Sequence, residues 1–214
     1  MTDKSLIDRT EKNDSYFVGE NGLPEGYCDD QSISVGENEN PYRLYRFLTE
    51  LEDILAQENN EETIVKKLIP KVRKLLIESE WIQFEFTPAD PKLGWSVNMI
   101  YDEPDYPLTV QMVTWSPQQT SPIHNHATWG IVAIISGTEK NTFWQLDRNG
   151  GDSVIKFTSE QILESGDIIG FTGDAIHQVE ALGDQPVISF NLYGITDFKN
   201  RYKYDRKTQT ATNF

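Results

Sequence analysis

The sequence predicts a mainly β chain, a jelly-roll barrel preceded by a helical segment. From residue 81 onward, short runs of alternating apolar and polar residues are separated by turn residues roughly every 8–12 positions, the rhythm of a β-sandwich or barrel. Residues 41–80 instead place apolar side chains at helical spacing. All three histidines of the chain, His124, His126 and His177, fall in the β-rich part, where a small barrel would place metal ligands.

Residues 1–40 are polar, without a sustained period, and read as a loose arm draped over the domain. Asn40-Pro41 then reads as a helix start, with Asn as N-cap and Pro at the first helical position. Leu44, Phe47, Leu48, Leu51, Ile54 and Leu55 form one apolar stripe. Asn59-Asn60-Glu61-Glu62 breaks and restarts a second helix, buried through Ile64, Val65, Leu68, Ile69, Val72, Leu75 and Leu76. Pro70 lies mid-way along it and predicts a kink or two short helices. Its basic residues, such as Lys66, Lys67 and Arg73, read as the solvated side. The barrel, 81–214, carries candidate strands at 81–86, 95–101, 108–115, 130–136, 141–147, 154–158, 167–171, 177–181 and 187–193, with one more at 201–205. Turns are expected at Asp105-Tyr106-Pro107, Gly137-Thr138, Asn149-Gly150-Gly151, Ser165-Gly166-Asp167 and Gly183-Asp184.

Bulk properties narrow the partners. A formal charge of −15 disfavours nucleic acid and anionic membrane surfaces, which select a basic face. Ten acidic and three basic residues in 1–40 supply −7 of that charge, so the arm solubilises and says little about substrate. The single cysteine, Cys28, allows no intrachain disulfide, which fits a reducing compartment. With no apolar leader after Met1 and no stretch of spanning length, a soluble cytoplasmic protein is expected.

The histidines carry the chemistry. In Ser121-Pro122-Ile123-His124-Asn125-His126, an H-x-H pair on an extended segment points both rings to one side. A third ring, His177 in Gly173-Asp174-Ala175-Ile176-His177, can then complete one face of a metal. Neutral imidazole suits iron, copper, zinc and nickel. The structural alternative for any one histidine is a satisfied core residue; three together point to a ligand set.

His124-x-His126 followed by Gly137, then Gly166 and Gly173-x-x-x-His177, resembles the two motifs of the cupin superfamily, whose fold is the double-stranded β-helix. Within it, 122–144 (PIHNHATWGIVAIISGTEKNTFW) and 186–193 (PVISFNLY) resemble the thiol dioxygenases, namely cysteine dioxygenase and the mercaptopropionate-type enzymes. The similarity covers roughly residues 41–214. It implies an Fe(II) cofactor on His124, His126 and His177, other first-row divalent ions being able to occupy the isolated protein. It implies a small thiol and O2 as partners and a sulfinic acid as product. Most cupins add a glutamate shortly after H-x-H; here Gly130 and its neighbours stand there, and Glu139 lies beyond the Gly137 turn. Three neutral ligands leave about three positions open for thiolate, a second donor and O2.

The family comparison also assigns roles around the metal. Tyr193, Ser189 and Asn191 take catalytic places on the last barrel strand, with Asn191 where animal cysteine dioxygenases have histidine. Asn passes on a hydrogen bond but does not titrate. Gly130 replaces the cysteine of that family's cysteine–tyrosine cross-link, so none is expected to Tyr193. Val97 replaces the carboxylate-binding arginine, and Arg201 is the candidate for that task, as in the mercaptopropionate-type enzymes. Trp129 is expected to wall the pocket. The structural alternatives are a surface arginine beside Lys199 and Lys203, a packed strand tyrosine, and an idle polar pair at Ser189 and Asn191. Zinc with three histidines and water would instead support hydrolysis. Another three-histidine oxygenase, such as one cleaving a carbon–carbon bond, and a non-enzymatic small-molecule-binding cupin stay open as rivals. Oligomeric state is not readable from the sequence.

Overall fold

The computed structural model describes residues 13–27, 41–147 and 153–213. Asn40 and Cys28 lie outside them. The described chain opens with β1 (Ser15–Val18) and β2 (Pro24–Gly26), then α1 (Leu44–Gln57), α2 (Glu61–Glu78) and a 3-10 turn at Glu80–Phe84. The barrel follows as β3 (Trp95–Tyr101), β4 (Leu108–Trp115), β5 (Ile123–Asn125), β6 (Gly130–Ser136), β7 (Thr138–Leu146) and β8 (Ile155–Leu163). It continues with β9 (Ile168–Phe171), β10 (Ile176–Leu182) and β11 (Val187–Gly194), and ends in the hairpin β12 (Tyr202–Asp205) and β13 (Thr210–Asn213).

The strands form a seven-stranded sheet, ordered β2-β1-β9-β6-β11-β4-β3, and a six-stranded sheet, ordered β13-β12-β5-β10-β7-β8. All pairs are antiparallel except β1 with β9. This is the predicted jelly roll with an N-terminal helical segment. Val132, Ile134 and Phe171 of one sheet meet Phe143, Leu163 and Ala181 of the other in a core between them. The opposite face of the seven-stranded sheet is covered by the helices, through Phe47, Leu51, Leu68 and Ile69 against Val110, Met112 and Leu192. Close contact is possible because β9 carries Gly170: a Cβ there would lie 2.3 Å from Val65 Cγ1 of α2. Among the described residues, no helix is long and apolar enough to cross a membrane.

Four expectations are corrected. The described part of residues 1–40 is not loose. β1 runs parallel to β9 (Ser15 opposite Ile168, Val18 opposite Phe171), and Phe17 and Val18 are buried. Arg73 of α2 ties this joint, donating to Gly166 O at 2.9 Å and Ser15 Oγ at 2.7 Å. Next, α1 begins at Leu44 without a side-chain cap, and Pro41 stands before it. Tertiary bonds anchor the chain just before it: Tyr42 N–H donates to Glu78 Oε2 at 2.8 Å, and Ser79 Oγ donates to Tyr42 O at 2.6 Å. The 81–86 segment is a 3-10 turn rather than a strand. Its buried Gln83 donates to Leu76 O at 2.8 Å and so continues the end of α2.

The fourth correction concerns α2, which runs unbroken across Pro70. Proline removes the N–H that would bond Lys66 C=O one turn back. The Tyr27 hydroxyl donates to that carbonyl at 3.2 Å, and Leu68, Ile69 and Val72, all fully buried, hold the helix to the sheet. The helix restarts after Asn59-Asn60 as predicted, and Asn60 caps it, accepting from Thr63 N–H at 2.9 Å.

Candidate metal centre

Pairing of β5 with β10 sets His124 directly opposite His177. His126 follows two residues later, just before Ala127, whose φ of 51° turns the chain out of the strand. The three rings converge on one point. His126 Nε2 lies 3.2 Å from His124 Nε2 and 3.0 Å from His177 Nε2, and all three ligand nitrogens lie within 4.8 Å of one another.

The outer nitrogens decide the tautomers. His124 Nδ1 donates to Pro122 O at 2.9 Å, and His177 Nδ1 donates to Asn141 Oδ1 at 2.9 Å. Each donation leaves Nε2 as a bare lone pair aimed at the centre. Burial also holds the rings neutral. It depresses His124 to about 4, with the nearby Arg201 charge assisting and the Pro122 carbonyl opposing. Burial likewise holds His126 and His177 well below the usual imidazole range, and the neighbouring rings add to it. Metal–nitrogen bonds of about 2.0–2.1 Å at a right angle place ligand atoms about 2.9 Å apart. The 3.2 and 3.0 Å from His126 to its two neighbours are close to that spacing, and the three histidines could hold a metal ion.

Aromatic rings fix this cluster. His126 stacks on Tyr193 (4.8 Å between centroids) and on Phe171 (5.1 Å), while Phe143 stacks on His177 (6.0 Å). Tyr193 of β11 pairs directly with Gly130 of β6, and only glycine permits the approach. A Cβ at residue 130 would stand 2.8 Å from Tyr193 Cδ1 and 2.6 Å from Phe171 Cε2. No sulfur is thus available at the position facing the tyrosine. Intact mass after aerobic incubation with iron and thiol should show no two-hydrogen loss. A loss mapped to Cys28 and Tyr193 would contradict this.

The period of two along β11 turns Ser189, Asn191 and Tyr193 to the same side. They form a chain: Tyr193 Oη donates to Asn191 Oδ1 at 3.0 Å, and Asn191 Nδ2 donates to Ser189 Oγ at 2.8 Å. Burial, reinforced by Glu139 and opposed by Arg201, raises the Tyr193 pKa and keeps the phenol protonated. With the histidines, these three line a cavity of about 500 Å³, as do Arg201, just before β12, and Val97 of β3. The structure does not bring Trp129 there. After the Ala127 turn its side chain is directed into the core beneath the helices, where the ring packs on Gly194. Trp129 is a core residue, and its expected place in the pocket wall is corrected.

Two further residues belong to the site. Glu139 and Asn141 project inward from β7, buried to 2% and 1% exposure, and Glu139 lines the cavity. Asn141 bridges His177 and Glu139, accepting from His177 Nδ1 and donating to Glu139 Oε1 at 2.7 Å. Burial raises the Glu139 carboxyl to about 7, against the opposing Asn141 bond. Their signal in the sequence was two polar residues at alternate positions of an otherwise apolar inward face.

These shifts act in opposite directions on stability. A histidine depressed from 6.5 stabilises the fold above that pH and loses the contribution as pH falls, for His124 through about 4. Glu139, raised from 4.5, contributes below that pH and loses it as pH rises through about 7. Three histidines outweigh one glutamate. The metal-free protein should therefore melt at lower temperature as pH falls from 6.5 to 4, and Glu139→Gln should steepen that fall. Thermal melts of both proteins across this range check it; parallel, flat profiles would refute it.

No family model matches the chain. Among solved structures, it is similar to oxalate oxidase in complex with the substrate analogue glycolate, at 14% identity and a TM-score of 0.41, over 51% of this chain and 57% of that one. The chain therefore spans little more than half the length of the oxalate oxidase chain. Similarity to KdgF from Halomonas sp. is 15% identity with a TM-score of 0.40, over 53% and 91% of the two chains. For a cupin superfamily protein from Desulfitobacterium hafniense the values are 10% and 0.38, over 47% and 77%.

Proposed function

We propose that the chain is an iron(II)-dependent thiol dioxygenase that converts a small thiol and O2 into a sulfinic acid. One observation carries this reading: three buried imidazoles bring their Nε2 atoms together at one point of a cavity that Tyr193 and Arg201 also line. When bound, the metal supplies redox activity towards O2 and lowers the pKa of a coordinated thiol, so no separate base is needed.

The remaining work falls to side chains. Arg201, half-buried at the cavity wall, offers a guanidinium to a substrate carboxylate. Tyr193 presents its hydroxyl beside His126 and, anchored through Asn191 to Ser189, is positioned to hold a polar group of the substrate. Asn141 fixes the His177 tautomer. Phe143 and Phe171 exclude water from the histidines. The proposed partners are small molecules, and the reading places the protein in the cytoplasm.

The test is oxygen uptake by the iron-loaded protein across a panel of thiols, with mass analysis of products formed under labelled O2. Sulfinate carrying both oxygen atoms from the gas is the expected product. Uptake with a β-diketone and none with thiols would favour the carbon–carbon cleaving alternative. Binding without any uptake would favour a non-enzymatic role.

A further inference from the structure

We propose that the substrate carries an apolar group, phenyl-sized or branched, beyond its thiol and acid, and that Trp95, Val97, Val113 and Trp115 receive it. The inference rests on the thiol reading for the polar head only. It begins from pairing: β3 and β4 set Trp95 opposite Trp115 and Val97 opposite Val113, so four apolar side chains form one patch. All four line the cavity that holds the histidines. The two indoles lie 6.2 Å apart and tilted. The intervening residues bond elsewhere, Ser96 Oγ to Thr87 O at 2.6 Å and Asn98 Nδ2 to Glu85 O at 3.0 Å, which commits Trp95 and Val97 to the cavity side.

Exposure and size then point to a ligand. Trp95 and Val97, which line the cavity from the edge strand β3, are each 39% exposed. A cavity of about 500 Å³ falls among those that enclose drug-sized ligands, roughly 300–1,000 Å³, and a short mercapto acid leaves most of it empty. Polar groups gather along the histidines, β11 and Arg201, while on the β3–β4 wall Trp95, Val97, Val113 and Trp115 form the apolar stretch and Gln111 is its one polar residue. A ligand that matches both ends has a polar head at the histidines and an apolar tail against the tryptophans. Burial of a phenyl-sized tail there should tighten binding about tenfold to a hundredfold.

The experiment uses the full chain loaded with cobalt(II), which binds thiolate with a visible charge-transfer band and does not turn over. It is titrated with 3-mercaptopropionate and with 2-benzyl-3-mercaptopropionate. Calorimetry with 3-phenylpropionate reports the tail without a thiol. Trp95→Ala and Val97→Asn serve as variants, each first matched to the parent in cobalt content and melting temperature. The benzyl thiol should bind at least tenfold more tightly than the plain one, and both variants should reduce that advantage to about twofold. Equal affinities in the parent, or an advantage that survives both substitutions, would overturn the proposal. If neither thiol gives the band but 3-phenylpropionate binds and loses affinity in the variants, the apolar wall stands and the thiol reading falls. If nothing binds, both fall.

Discussion

His126→Ala should lose the metal outright. His126 is the middle ring of the cluster, 3.2 Å from one partner nitrogen and 3.0 Å from the other, so its removal leaves two ligands without a shared face. After loading and dialysis, metal per protein should fall from near one to near zero. The loss should also show in stability. A ligand at 100–1,000 times its dissociation constant stabilises a fold by about 3–4 kcal/mol. The parent should gain that increment on loading, and the variant should gain none while its metal-free melting temperature stays close to the parent's. Full retention of metal by His126→Ala would remove the three-histidine centre from consideration.

Arg201→Ala should separate acids from other thiols. A charge-assisted hydrogen bond is worth about 1.5–3 kcal/mol, so KM for 3-mercaptopropionate should rise roughly ten- to a hundredfold. For cysteamine, which has no carboxylate, KM should hold steady. Val97 gives the acid no second anchor, because it belongs to the apolar wall. Burial works against the guanidinium charge and lowers its pKa, yet also shields it from solvent, so the pair it forms with an acid is weakly screened. A variant that handles every thiol as before would show that Arg201 reads no carboxylate.

The legible parts of this molecule were those with a local signature. The ligand set was readable because strand period and histidine spacing coincide at His124 and His126, and His177 follows on a strand of its own. Both helices announced themselves through their apolar stripes, and the second through the break at residues 59–62. Other features were hidden for physical reasons. β1 is four residues long within polar surroundings, too short for alternation to register. Trp129 misled because the left-handed Ala127 resets which side faces inward. Glu139 and Asn141 were masked by Gly137, whose φ of 86° bends the chain where it passes from the seven-stranded to the six-stranded sheet. The continuous α2 needed knowledge of Tyr27, a residue from a distant stretch that takes the carbonyl freed by Pro70.

The parallel joint between β1 and β9 sets an order of events during synthesis. Asp14 N–H, at the start of the joint, bonds the Asp167 carboxylate 153 residues later. At roughly 5–20 residues per second, the first strand waits about 8–30 s on the ribosome before its partner exists. Helix α2 emerges early in that interval, so Arg73 can engage Ser15 before either has met the β9 side. The most sequence-distant contacts are slow to form because loop closure must come first. The seven-stranded sheet is thus closed by its late strands, β9 between β1 and β6 and β11 between β6 and β4, and translation speed across the barrel segment becomes a variable in the yield of folded protein.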